Sequence, residues 1–220
     1  MDEGRVAYED QWLLAWDKPA GIIVHDDGTG ARTLTDVVRE HLEATGREGV
    51  RPQPVQRLDA PTTGLVLFSL DKSCQASLDA QVAGHQMDKT YLAVVSGRFP
   101  WRERTVDVPL GRDRHDARRM RACAPGRGKA SRTRVRLLAC ESGRSLLEVR
   151  LLTGRRHQIR VHLSSLGFPI VGDELYGGAR CREGLLLHAL SEAVTHPVTG
   201  ERVVLRTAWP TRVWPREVPR

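Results

Sequence analysis

Arg57-Leu58-Asp59, followed by Ala60-Pro61-Thr62-Thr63-Gly64 and the apolar run Leu65-Val66-Leu67-Phe68, sets an acid two positions behind a base on a turn rich in proline and glycine. In an extended segment, side chains two apart project to one face, so the two charges would share a side. A rigidly held carboxylate can act as a nucleophile or a general base. The same pair could equally be an ion pair that braces a turn, and residue types alone leave both readings open. Tyr91, in Lys89-Thr90-Tyr91, reads either as a half-buried sheet tyrosine or as a ring offered to a substrate. Arg160 falls on the inward side of an apolar-patterned segment, where an unpaired guanidinium is costly. It demands a carboxylate, and Asp59 is a candidate.

Other chemistries lack their residues. His157 and His162 are five apart and do not share a helical face, and Cys74, Cys123, Cys140 and Cys181 show no ligand spacing. No metal is expected. There is no GxxxxGK[ST] segment, Gly28-Thr29-Gly30 does not extend into a phosphate-binding fingerprint, and no GxSxG elbow is present. No cofactor is expected either, so any catalysis must come from side chains.

The elements that must position these groups follow from periodicity and punctuation. Strands are expected at 11–16 and at Ile22-Ile23-Val24, separated by the turn Lys18-Pro19-Ala20-Gly21. A helix is expected over Thr33–Leu42, capped by Thr35, with Val37, Val38 and Leu42 inward and Gly46 as its stop. Then come a strand at 65–70, a helix at 72–83 capped by Ser73 with Ala76, Leu78 and Val82 inward, and a strand at Lys89–Val95. Strands at 134–139 and 146–152 precede a short helix from His157 to Leu166, where Ile159, Leu163 and Leu166 share a face. A hairpin of 192–195 and 202–205 closes the chain through His196-Pro197-Val198-Thr199-Gly200. The pattern predicts an α+β fold with a mixed, largely antiparallel central β-sheet flanked by helices, as a single domain over residues 1–220.

The net charge of +7 and the four lysines among 34 basic residues, leaving thirty arginines, point to a polyanionic partner. A GC-rich genome would give the same arginine bias. The stretch 112–136 concentrates the charge: Arg112, Arg114, Arg118, Arg119, Arg121, Arg127, Lys129, Arg132, Arg134 and Arg136 face only Asp113 and Asp116. It reads as a β-ribbon or long loop that tracks phosphates, or more plainly as a solvated surface loop. Met1-Asp2-Glu3-Gly4-Arg5 carries no signal pattern and no apolar run reaches membrane length. A cytoplasmic monomer with no membrane span and no obligate protein partner is expected, and the polyanion that its charge favours is nucleic acid or an acidic membrane surface.

Taken in order, Arg57-Leu58-Asp59 with Thr62/Thr63-Gly64, Lys89-x-Tyr91, Thr153-Gly154-Arg155-Arg156-His157-Gln158-Ile159-Arg160-Val161-His162-Leu163 and Pro169-Ile170-Val171-Gly172-Asp173 resemble the RluA-type pseudouridine synthases. Lys18-Pro19-Ala20-Gly21, Leu187-His188-Ala189 and the His196–Glu201 turn match too, so the resemblance runs from about residue 8 to 207. It implies an RNA pseudouridine synthase that isomerises uridines of ribosomal or transfer RNA without metal or cofactor. It implies a catalytic set of Asp59, Tyr91 and Arg160: Asp59 as the essential carboxylate, Tyr91 stacked on the base, and Arg160 paired with Asp59 to keep it ionised. Arg57 is expected to fill the space left by the flipped uridine. Further RNA contacts are expected from Arg112, Lys129, Arg155, His157 and Gln158. The motif commonly has His where this chain has Gln56. Many relatives carry an additional N-terminal RNA-binding module of S4 type, and its absence is expected here. A non-catalytic RNA binder on the same fold and a carboxylate-dependent glycosidase are the competing readings; the latter chemistry usually needs two carboxylates.

Overall fold

The computed structural model describes residues 3–218, so Met1 and Asp2 of the N-terminal reading lie outside the described residues. Along the chain run β1 (Arg5–Glu9), β2 (Leu13–Lys18), α1 (Leu34–Ala44), β3 (Gln53–Pro54), β4 (Thr63–Ser69), α2 (Lys72–Ala83), β5 (Asp88–Ser96), β6 (Glu103–Asp107), β7 (Leu110–Arg112), β8 (Met120–Ala122), β9 (Arg132–Glu141), β10 (Arg144–Leu151), α3 (Gln158–Ser165), β11 (Leu187–Thr195) and β12 (Arg202–Arg206). This is the expected α+β fold, with a largely antiparallel sheet and flanking helices. The chain condenses into two compact units. One is built from the chain up to Asp88 together with Ala189–Ala208, the other from Lys89–His188 together with the stretch from Trp209 on.

In the first unit β2 pairs antiparallel with β1 and with β4, β3 with β4, and β11 with β12. Every residue of β4 is buried, as its unbroken apolar run demands. The stretch expected as a second strand, Ile22–Val24, makes only a single bridge from Ile23 to Thr33. It is too short and too close to Gly21 to propagate a ladder. Helix α1 is capped by Thr33, not Thr35: Thr33 and Asp36 form a capping box, while the Thr35 hydroxyl donates to the Val24 carbonyl. Helix α2 is capped by Asp71, whose carboxylate accepts from the backbone and hydroxyl of Ser73. Its buried side chains are Cys74, Leu78 and Gln81, whereas Ala76 is exposed. The i, i+4, i+7 face therefore starts at Cys74, and Gln81 is admitted because it exchanges two hydrogen bonds with the Thr195 backbone.

Gly64 opens β4 with φ +108°, and a Cβ there would stand 2.2 Å from the Ala189 carbonyl oxygen. Both the backbone conformation and the close approach require glycine. Gly64→Ala is expected to destabilise the protein by roughly 3 kcal/mol or more, read as a lowered midpoint in urea. An unchanged midpoint would refute the close approach.

In the second unit β10 lies between β5 and β9, with β6 on the other edge of β9, all antiparallel. β7 and β8 form a separate two-stranded ribbon. The expected arginine ribbon is therefore present as β7, β8 and the bridge from Leu110 to Lys129, while Arg132, Arg134 and Arg136 belong to β9. Among the described residues no helix is long and apolar enough to cross a membrane.

Candidate active site

Asp59 lies on the loop between β3 and β4, and that loop is held from beneath. Lys18, at the end of β2, is 1% exposed. Its ammonium donates to the carbonyls of Pro19 (2.9 Å), Ile22 (2.9 Å) and Ala60 (3.0 Å), matching its three N–H donors. The Gly21 N–H reaches the same Ala60 carbonyl at 2.8 Å, and the Thr62 N–H closes the turn on the Asp59 carbonyl at 3.0 Å. The Lys18–Gly21 turn, legible in sequence only as punctuation, thus clamps the residue that follows Asp59.

Arg57 is exposed, and its Nη1 stands 3.2 Å from His25 Nε2 rather than pairing with Asp59. This removes the reading of Asp59 and Arg57 as a simple turn ion pair. Gln56 donates from Nε2 to Oε2 of Glu192, a buried carboxylate of β11. A neutral amide serves where the family motif has histidine, and the residue before Arg57 is tethered to β11.

In the second unit, Tyr91 is buried in β5 opposite Val149 of β10. Arg160 is 5% exposed on α3, and its Nε and Nη2 form a two-pronged pair with Asp173, both at 2.7 Å. This fork satisfies the demand of a buried guanidinium. Asp173 ends the Pro169–Asp173 motif, and nothing in its spacing along the chain assigns it this task. The Arg160 guanidinium also lies 5.0 Å over the ring of Tyr176.

The start of α3 is set by His157, which holds φ +55° without a side-chain cap. A non-glycine residue in that region is costly and persists where its surroundings fix it. Here Nδ1 meets the Tyr176 hydroxyl at 2.6 Å.

Gln158 was expected to touch RNA, and the structure corrects this. It is 2% exposed. Its Nε2 donates to the Arg132 carbonyl and Thr133 Oγ1, and its Oε1 accepts from Thr153 Oγ1 and the Arg155 N–H. With two donors and two acceptor sites spent, Gln158 braces β9 against the 153–155 loop and has none left for a ligand. His162 is likewise structural. Its Nε2 donates to the Val108 carbonyl at 2.9 Å, so Nδ1 accepts from the Thr133 hydroxyl at 2.8 Å.

The ribbon presents its cations outward. Asp113 accepts from the His115 and Asp116 backbone N–H groups, and Asp116 binds Arg118, so the two acids staple the turn. Hydrogen bonding to Arg118 lowers the Asp116 carboxyl to about 2. The side chains of Arg112, Arg114, Arg127 and Lys129 are exposed and have no protein partner among the described residues. Arg155 Nε donates to the Ala130 carbonyl and Arg156 Nη2 to that of Arg118, which ties the loop before α3 to the ribbon.

Burial, and secondarily the nearby Arg212 charge, pushes His188 down to about 3, and burial lowers His162 as well. Both are neutral when folded and gain a proton more readily when unfolded. Their contribution is complete above about pH 6.5 and is lost as pH falls below it, for His188 until about pH 3. At pH 4 the His188 term alone is worth about 3 kcal/mol. The melting temperature is expected to drop between pH 6.5 and 4, less steeply in His188→Gln. An identical profile in that variant would overturn the assignment.

The chain matches the family model for RNA pseudouridylate synthase over residues 12–165. It is 35% identical over 207 residues to an uncharacterised RNA pseudouridine synthase of Bacillus subtilis, covering 93% of this chain and 68% of that one. It is 36% identical over 212 residues to ribosomal large subunit pseudouridine synthase D of Zymomonas mobilis, covering 90% and 67%. A relative from Chloroflexus aurantiacus is 43% identical over 190 residues, covering 84% and 59%. Human RNA pseudouridylate synthase domain containing 1 superposes with a TM-score of 0.77 at 25% identity, covering 96% of this chain and 86% of the human one. Domain containing 4 gives 0.77 at 23%, covering 94% and 89%. The clamped Asp59 loop, the Arg160–Asp173 fork and the arginine ribbon therefore sit in a chain that belongs to the RluA family of RNA pseudouridylate synthases, isomerases that act on uridine in RNA.

Proposed function

We propose that this chain converts specific uridines of structured ribosomal RNA, or transfer RNA, to pseudouridine, with Asp59 as the catalytic carboxylate. The observation that carries the reading is the three-carbonyl clamp of Lys18 on the loop that bears Asp59. A carboxylate whose position is fixed before substrate arrives avoids an ordering cost at the moment of reaction. Ribosomal RNA is favoured because similar chains from several bacteria are named large subunit pseudouridine synthase D.

The reaction cleaves the bond from ribose C1′ to uracil N1, turns the base over and joins C1′ to C5. The C5 proton is then lost and N1 gains one, so the product is an isomer of the substrate. Tyr91 stacks on the uracil, Arg160 is the cation of the catalytic set, and Arg57 enters the stack in place of the extruded uridine. His25 holds the Arg57 guanidinium in the meantime. Arg112, Lys129 and Arg155 engage phosphates, and His157 adds a further RNA contact.

The test is tritium release from RNA labelled at uracil C5, together with carbodiimide mapping of pseudouridine in RNA from cells with and without the gene. Release from ribosomal RNA and one or more vanished sites support the reading. No release from any cellular RNA would sink it.

Arg112→Ala and Lys129→Ala should each weaken RNA binding and reduce the slope of log affinity against log salt by about 0.7–0.9. A salt slope equal to that of the parent protein would show that the cation in question does not meet phosphate.

A further inference from the structure

Tyr176 touches both the ribbon and the helix that carries Arg160. It ends the short turn Glu174–Tyr176, three residues after Asp173. Its hydroxyl accepts the N–H of Met120 in β8 at 2.8 Å and meets His157 Nδ1 at 2.6 Å. One proton and two acceptor lone pairs let the hydroxyl serve both partners at once. The ring takes the guanidinium of Arg119 at 5.5 Å and that of Arg160 at 5.0 Å, and packs edge-on to His157. Its carbonyl accepts from Ser164 Oγ near the other end of α3. Leu110, Met120 and Ala122 of the ribbon and Val161 of the helix complete a small apolar cluster around it.

Two strands of three residues each do not stand alone in water. The ribbon must borrow rigidity, and its other ties to the start of α3 are the exposed arginine bonds from Arg155 and Arg156 to backbone carbonyls. Such exposed contacts are weak. The buried Tyr176 cluster is the stronger link. The same ring forms one wall of the Arg160 guanidinium, with Asp173 as the other.

We propose that Tyr176 is a positioning residue that locks the arginine ribbon onto the helix bearing Arg160, so that the RNA-gripping strands and that guanidinium move as one body. The inference rests on the reading of the ribbon as an RNA grip and of Arg160 as part of the site. The hydroxyl and the ring have separable tasks: the hydroxyl fixes the ribbon's edge and His157, and the ring fixes Arg160.

Tyr176→Phe keeps the ring and the packing but removes both hydroxyl bonds. The Met120 amide should then exchange with solvent about tenfold faster or more. KM for RNA should rise roughly fivefold to tenfold with kcat within about twofold of the parent. Tyr176→Leu removes the ring as well, and kcat should fall by a further factor of about 100. A merely structural role would instead lower the active fraction, reducing kcat with KM unchanged. That pattern, or an unaltered Met120 exchange rate in Tyr176→Phe, overturns the proposal. Should Tyr176→Leu fail to fold, the phenylalanine variant decides alone. Failure of the enzyme reading is distinguishable, because the parent protein would then release no tritium, whereas Met120 exchange would still report whether Tyr176 locks the ribbon.

Discussion

Asp59→Asn is expected to abolish pseudouridine formation, by roughly 10⁴-fold or more in kcat, while leaving RNA affinity within a few-fold of the parent. The size follows from the chemistry, since losing a group that acts covalently or as the base removes the route rather than weakening it. On the proposed reading the electrostatic grip resides in cations such as Arg112 and Lys129, so affinity should be spared. Asparagine is nearly isosteric with aspartate, and Lys18 donates to the backbone carbonyls of its turn and of Ala60, so the loop should keep its shape. Tritium release and filter binding on the same RNA separate the two quantities. Retention of more than a tenth of the parent's release rate would remove Asp59 from the chemistry. Equal loss of binding and turnover would instead mean that the substitution disordered the loop.

Asp173→Ala should be the most destabilising single change at the site. It takes a two-pronged partner at 2.7 Å from the Arg160 guanidinium, which is 5% exposed. Breaking one side of a buried ion pair costs about 3–5 kcal/mol, because the surviving charge remains desolvated. For a chain of this length that corresponds to a melting temperature lowered by roughly 10 °C. Removing both charges, as in Arg160→Met with Asp173→Leu, should recover much of the lost stability, since the pair itself contributes little over a well-packed apolar substitute. The double variant should nevertheless remain inactive. Thermal denaturation of the single and double variants tests the first half, and tritium release the second. A loss under about 2 °C in Asp173→Ala would show that Arg160 is supported elsewhere.

These two expectations differ in how they could be found. Asp59 was legible in the chain, since its turn, its neighbouring base and the apolar strand behind it all lie within a dozen residues. The pairing of Arg160 with Asp173 was not. The demand for a carboxylate follows from burial on α3, but Asp173 lies thirteen positions along, past the end of the helix, where no periodicity argument reaches it. Gln158 failed for a related reason. An amide between His157 and Arg160 in a basic block looks like a ligand-binding group, and only its four bonds to Arg132, Thr133, Thr153 and Arg155 show that it is spent. The caps of α1 and α2 moved by two residues, because Thr33, Thr35, Asp71 and Ser73 all carry suitable oxygens and backbone geometry makes the choice.

Local chemistry along the chain determined the α+β alternation, the buried run of β4, the exposed basic ribbon, and the ordered motifs that mark the family. Those properties depend on residues close in sequence, where spacing and turn chemistry act directly. The tertiary structure alone decided that Lys18 holds the Asp59 loop, that Gln56 is tethered to Glu192, that Asp173 receives Arg160, and that Tyr176 joins ribbon to helix. Each of these is a contact between residues separated by at least a helix, a strand or a long turn. Its strength comes from a buried polar group having to find its partner wherever the packed chain puts one.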